Sequence, residues 1–181
     1  MSERLIVALD GHDGSGKTTL AYALAERLGG TMVRPFAGET GAQLLHAGER
    51  QDIDELLRIG ATALDACLGT AGDAPLVLDR AWMTVASFVP ASEELFNCWR
   101  HWIPTTLCWA DLDTTLARLG ARPDEHDDQL GWHGHYLSVY WGLAERSASP
   151  ILRTDQLDTQ SCIEMLYAWA SARPGGAASS Q

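Results

Sequence analysis

The sequence predicts a three-layer α/β fold, with a central parallel sheet and helices on both faces. Three observations predict it. A short apolar run, Leu5-Ile6-Val7-Ala8-Leu9, enters a glycine-rich turn that opens into a helix. Apolar runs of strand length then recur between stretches of helical spacing, the alternation that builds parallel strands joined by crossover helices. Arg34, Asp79 and Arg80 stand directly after such runs, where an open α/β sheet gathers its ligands. At 181 residues the chain suits one domain, expected over 1–173. Residues 174–181 are small and polar and read as a disordered tail.

Each element has its own signal. The first helix carries Leu20, Ala23, Leu24 and Leu28 on one face and stops at Gly29-Gly30. Residues 31–34 read as the second strand, ended by Pro35-Phe36. The glycines of 37–50 predict a loop over a cleft, with a short helical patch at Leu44 and Leu45. Residues 52–68 read as a helix capped by Asp52, with Leu56, Ile59, Ala63 and Leu64 inward. A third strand, 75–79, ends in Asp79-Arg80. Residues 82–102 read as largely helical, two helices broken near Pro90. A strand over 105–110, a short helix over 114–119 and a polar, acidic loop over 122–131 follow. Trp132, Tyr136, Tyr140 and Leu143 give 132–146 helical spacing, and a strand at 150–154 and a helix at 159–172 complete the pattern.

Composition narrows the class. A 46% apolar fraction and seven tryptophans describe a folded globule. A net charge of −11 argues against an extended nucleic-acid surface or an acidic-membrane surface. Cys67, Cys98, Cys108 and Cys162 show neither disulfide nor zinc spacing and read as reduced thiols. No stretch has the length of a membrane span or the pattern of a signal peptide, so a cytoplasmic protein is expected.

The chemistry starts at the first turn. Gly11, Gly16, Lys17 and Thr18 fit G-x-x-x-x-G-K-[ST], a loop whose backbone N–H groups and following helix N-terminus face anionic oxygens. Lys17 adds charge near the β- and γ-phosphates, and the Thr18 hydroxyl is a Mg²⁺ ligand. Lys17 is the only lysine among 13 basic residues, and the loop is the place that requires one. Asp79 is read as part of the Mg²⁺ shell rather than a helix cap, and Arg80 as a phosphoryl clamp rather than a surface ion pair. Arg118 and Arg122 stand four apart before the polar loop. They are either a solvated face paired with Asp113, Asp124 or Glu125, or the charge of a lid over 118–131 that closes on the transferred group.

Aromatics and histidines are read more plainly. Trp82, Trp99, Trp102 and Phe88 are assigned to core packing ahead of ring stacking. His101 is expected exposed on a helix. His133 and His135, two apart, do not share a helical face and make poor metal ligands. His12 is expected to matter through its backbone more than its ring.

These motifs resemble the thymidylate kinase family of P-loop nucleoside monophosphate kinases, over roughly residues 5–170. The family loop G-x-D-G-x-G-K-[ST]-T is matched by Gly11, Asp13, Gly14, Gly16, Lys17, Thr18 and Thr19, with Ser15 at a free position. The family's Asp-Arg pair is matched by Asp79-Arg80, its two lid arginines by Arg118 and Arg122, and its Arg-Glu-Pro-Gly-Gly-Thr segment loosely by 34–40. The resemblance implies a P-loop NTPase fold with ATP on the loop and Mg²⁺ held by Thr18 and Asp79. It also implies phosphoryl stabilisation by Lys17, Arg118 and Arg122, with Asp13, Arg34 and Arg80 on the acceptor side. A homodimer is compatible with it.

The acceptor half departs from the family. Its aromatic base-stacking position is Arg58 here, its base-reading arginine is Thr62, and the residue after Asp79-Arg80 is Ala81 instead of tyrosine. A site lacking the polar partners of a substrate discriminates against it strongly, so dTMP is not the expected acceptor. The expectation is a kinase of a nucleotide-like acceptor. A hydroxymethylated pyrimidine in DNA, a nucleoside, a natural product and a nucleotide-binding scaffold without transfer activity stand as alternatives. A guanine-reading switch is excluded, since its Asn-Lys-x-Asp motif needs a second lysine.

Overall fold

The computed structural model describes residues 4–70, 72–121 and 130–174. Five strands form one parallel sheet: β1 Ile6–Asp10, β2 Thr31–Val33, β3 Leu76–Asp79, β4 Thr105–Trp109 and β5 Ile151–Arg153, in the order β2-β3-β1-β4-β5. β1 pairs with β3 on one side (Leu9 with Asp79) and with β4 on the other (Asp10 with Leu107). The strand that feeds the glycine loop therefore lies at the centre, next to the one that delivers Asp79 and Arg80.

Alternation along β1 splits the core in two. Val7 and Leu9 pack with Leu20 and Leu24 of α1 (Lys17–Arg27) and Leu166 of α8 (Thr159–Ser171). Ala8 faces the other layer, built from α2 (Glu39–Glu49), α3 (Ile53–Leu68), α4 (Trp82–Ala86), α5 (Glu93–Cys98) and α7 (Leu130–Arg146). Successive strand side chains point to opposite faces, so a sheet covered on both sides buries every position, as β3 does. Leu24 is fully buried, worth roughly 2 kcal/mol of burial, and Leu24→Ala should cost about 2–5 kcal/mol. The α3, α5 and α8 caps, and that of α6 (Leu112–Gly120), are side-chain oxygens of Asp52, Ser92, Asp158 and Asp111, each accepting from the backbone N–H three residues on.

Three local expectations are corrected. Residues 39–49 form an eleven-residue helix, not a loop with a helical patch. Leu44 and Ala47 are buried on its inner side, and Gly48 lies so close to Phe88 that no Cβ fits there. Its glycines thus serve close packing, and tertiary burial overrides their poor helix propensity. The 82–102 segment is less helical than expected, because the chain between Ala86 and Glu93 turns through Pro90 and extends again after Cys98. His101 is consequently off any helix, largely covered, with Nε2 3.6 Å from Asp65 Oδ1. No helix among the described residues is long and apolar enough to cross a membrane.

Candidate functional site at the strand ends

The turn after β1 winds through three glycines with positive φ, at Gly11, Gly14 and Gly16. At Gly11 the requirement is steric as well, since a Cβ would run into the Cys108 carbonyl of β4. Gly16 (φ 79°) is the N-cap of α1, so the helix opens directly from the loop.

Lys17 is 5% exposed. Its Nζ donates to the His12 carbonyl and the Asp13 carboxylate, both at 3.3 Å. Burial and the neighbouring Arg80 lower its pKa, against the opposing pull of Asp13 and Asp79. Two further side chains brace the loop through its carbonyls. Arg118 NH1 donates to Gly14 O (3.1 Å) and Thr154 Oγ1 (3.0 Å), its NH2 donates to Thr154 O (2.7 Å), and Thr154 Oγ1 donates to Ser15 O (2.8 Å). These contacts anchor the loop at Gly14 and Ser15 by its carbonyls, an arrangement in which the N–H side can receive an anion.

At the end of β3, Thr18 Oγ1 donates to Asp79 Oδ2 at 2.7 Å, and Arg34 Nε lies 3.3 Å from the same oxygen. Asp79 Oδ1 is buried with no hydrogen-bond partner among the described residues. A hydroxyl and an unpaired carboxylate oxygen side by side suit a hard cation that completes its shell with phosphate and water, so the donor set fits Mg²⁺. Ser15 Oγ is likewise buried without a partner inside the loop.

Arg80 joins the two sides of the cleft. Its NH2 donates to Asp13 Oδ1 at 2.6 Å, and its NH1 reaches Thr84 Oγ1 and Tyr140 OH, both at 3.3 Å. Burial opposes its charge, but the oxygens of Tyr140, Asp13, Asp10 and Asp79 outweigh it and raise the guanidinium pKa. Burial also works against the charge of Asp13, and Lys17 and Arg80 overcome it, holding this carboxyl well below the usual range. Arg80 itself has φ 82°, a left-handed backbone unusual for a non-glycine residue and a mark of local strain.

Beyond Arg80 lies a cavity of about 240 Å³. Phe36, Leu44, Phe88, Trp132 and Tyr136 form apolar walls, and Asp13, Arg80, Thr84 and Tyr140 a polar floor. The expectations for the aromatics divide here. Trp82 and Trp99 are buried in the core as expected, Trp102 is instead exposed beside Pro104 away from this cavity, and Phe88 packs against the core while lining it.

Gly11, Arg34, Asp79 and Arg80 gather at the strand ends as the sequence predicts, with Asp13, Lys17 and Thr18 beside them, while Arg122 and most of the expected lid lie outside the described residues. Sequence reasoning missed four others. Asp10 is fully buried and accepts from Ala81 N (2.9 Å), Met83 N (3.1 Å) and Thr84 Oγ1 (2.6 Å), fixing the start of α4 and with it Arg80. Burial raises its pKa, with Thr84 opposing. An acid ending an apolar strand just before the glycine loop was the available signal. Tyr140 and Thr154 gave none beyond helix spacing and a strand end. The fourth is the His12 ring, expected to be secondary. It is buried, and its Nε2 is 2.7 Å from His133 Nδ1 of α7. Burial lowers the His12 pKa to about 4.

No family model matches the sequence, and no curated protein matches it either. Solved structures match its fold. A deoxyadenosine kinase from M. mycoides with bound dATP superposes with a TM-score of 0.62 at 14% identity, covering 92% of this chain and 98% of that one. A shikimate kinase from Acinetobacter baumannii in complex with shikimate gives 0.61 at 18% identity, covering 95% and 96%. The YorR protein from Bacillus subtilis, in complex with phosphorylated GDP, gives 0.58 at 13% identity, covering 91% and 95%. The chain thus shares the fold of these structures, a central parallel sheet with helices on both faces.

Proposed function

We propose that this chain is an ATP- and Mg²⁺-dependent phosphotransferase that passes the γ-phosphoryl group to a nucleotide-like acceptor other than dTMP. One observation carries the reading. Asp13 and Arg80, bonded to each other at 2.6 Å, stand between a phosphate loop with its buried lysine and a ring-lined cavity. Donor and acceptor would meet at that pair.

In the proposed reaction the γ-phosphorus loses its bond to the β-bridging oxygen and gains one to an acceptor oxygen, in line. Lys17 and Arg80 neutralise charge on the transferred group, and Asp13, held as a carboxylate, orients the acceptor and receives a hydrogen bond from its hydroxyl. Mg²⁺, held by Thr18 and Asp79, would supply further charge neutralisation on the donor phosphates. Arg118 contributes through the loop it braces, and Arg122 remains the arginine proposed to close over the site from a lid. Phe36, Phe88, Trp132 and Tyr136 give the cavity faces suited to a flat ring. Among the described residues no cavity-lining side chain is an amide, which supports an acceptor read by shape more than by base-edge hydrogen bonds.

The test is ADP formation from ATP and Mg²⁺ across a panel of nucleoside monophosphates, nucleosides, 5-hydroxymethyl pyrimidines free and in DNA, and small natural products, with Lys17→Ala alongside. Turnover on one acceptor, abolished by the substitution, is the expected result and selects among the acceptor classes. Turnover on dTMP would refute the acceptor reading. Tight ATP binding without transfer to anything would replace the kinase with a nucleotide-binding scaffold.

A further inference from the structure

His12 has two attachments that point in opposite directions. Its carbonyl oxygen accepts from Lys17 Nζ and from Ser15 N, each at 3.3 Å, so its backbone belongs to the phosphate loop. Its ring belongs to the acceptor side. The imidazole bonds His133 at 2.7 Å, sits 5.0 Å from the Trp132 ring, and stacks at 6° on Tyr136 with 5.9 Å between centroids. Trp132 and Tyr136 also contact each other at 4.8 Å, and both line the acceptor cavity with His12. The bonded rings are 121 residues apart in sequence, and both are buried.

Resting on the phosphate-loop reading above, we infer that the His12–His133 pair couples the donor loop to the acceptor wall, with His133 a positioning residue that acts through His12. One ring of the pair must donate and the other accept, so the bond ties the two tautomers to each other and sets the angle between the rings. It is made in a buried, aromatic setting, where a hydrogen bond has less competition from water and stricter geometry than on the surface. A phosphate drawn into the loop moves the His12 backbone with Lys17. The ring transmits that movement to the first turns of α7, and Trp132 and Tyr136 ride on those turns. Filling of the donor site thereby presets the wall against which the acceptor docks.

The experiment uses Mg·ATPγS as the probe, so that no acceptor need be known. Its affinity is measured by calorimetry, and hydrogen exchange is followed in the first two turns of α7. In the wild type, saturating Mg·ATPγS should slow exchange in these turns by about tenfold. His133→Asn places a polar atom near the position of Nδ1 and should keep that response. His133→Phe keeps a ring but not the bond, and should lose the response while the Mg·ATPγS Kd changes by less than about threefold. A normal response in folded His133→Phe, or its loss in His133→Asn, overturns the coupling. Should a variant not fold, the wild type alone decides through imidazole ¹⁵N shifts. Both rings must move together on adding Mg·ATPγS, and an unchanged His133 ring refutes the link. No Mg·ATPγS binding by the wild type would sink the phosphate-loop reading itself, whereas binding with an unresponsive α7 sinks only the coupling.

Discussion

The two sides of the cleft are built by different means. The proposed donor side is mostly backbone: one loop of nine residues, 11–19, whose positive-φ glycines, single lysine and helix N-terminus lie together in sequence. The proposed acceptor side is mostly side chains, gathered from the segment before α2, from α2, from the turn after α4 and from α7, where Trp132, Tyr136 and Tyr140 share only the spacing of any helix face. A backbone device needs particular residues at particular spacings and so leaves a motif. A side-chain cavity needs only shapes that meet in space, and many sequences supply them. On the proposed reading, the chemistry of the donor is therefore written locally, and the identity of the acceptor is distributed.

This contrast can be broken or sharpened by substitution. The largest effect is expected from Lys17→Ala, which should lower kcat by about 10³-fold or more whatever acceptor is offered, read by ADP release. An effect confined to one acceptor would break the division. Next comes Asp10→Ala, which strips Ala81 and Met83 N–H groups and Thr84 of their acceptor. It should cost about 3 kcal/mol in urea denaturation and loosen Arg80, the shared residue of both sides.

A pH titration tests the border between the halves. His12 titrates near 4 in the folded chain and near its ordinary 6.5 when unfolded, so between these values the unfolded state binds more protons. Its contribution is complete above pH 6.5 and is lost as pH falls toward 4, about 3 kcal/mol in all. Asp13 acts in the same direction at lower pH and Asp10 in the opposite one, so the difference between wild type and His12→Gln isolates the histidine. Stability measured by denaturation should fall more steeply in the wild type than in the variant over that window. The smallest effect is expected from Phe88→Ala, which should raise the acceptor KM by about tenfold and leave the ATP KM unchanged. A matching rise in the ATP KM would show that Phe88 supports the donor loop as well.

Legibility in the sequence follows the same division. The strands, the capping Asp52 and the convergence of Gly11, Asp79 and Arg80 could be read because each depends on neighbours within a few residues. The α2 helix could not, since Gly41 and Gly48 lower its propensity while the contacts that hold it, Phe36 and Phe88, lie outside it. The roles of Asp10 and of the His12 ring were hidden for a related reason. Asp10 caps a helix more than seventy residues away, and no spacing rule links His12 to a histidine on α7.

The solitary lysine has one more consequence, for how the protein reports on itself. Apart from the terminal amine, the chain's single primary amine is buried in the loop at a depressed pKa, which raises its neutral, nucleophilic fraction. Any internal mass tag left by amine-directed acylation must therefore sit at Lys17, and burial of that amine makes the tag appear only as fast as the loop exposes it. The rate at which that tag appears, and its suppression by Mg·ATP, would read loop occupancy directly, with no mutation and no knowledge of the acceptor.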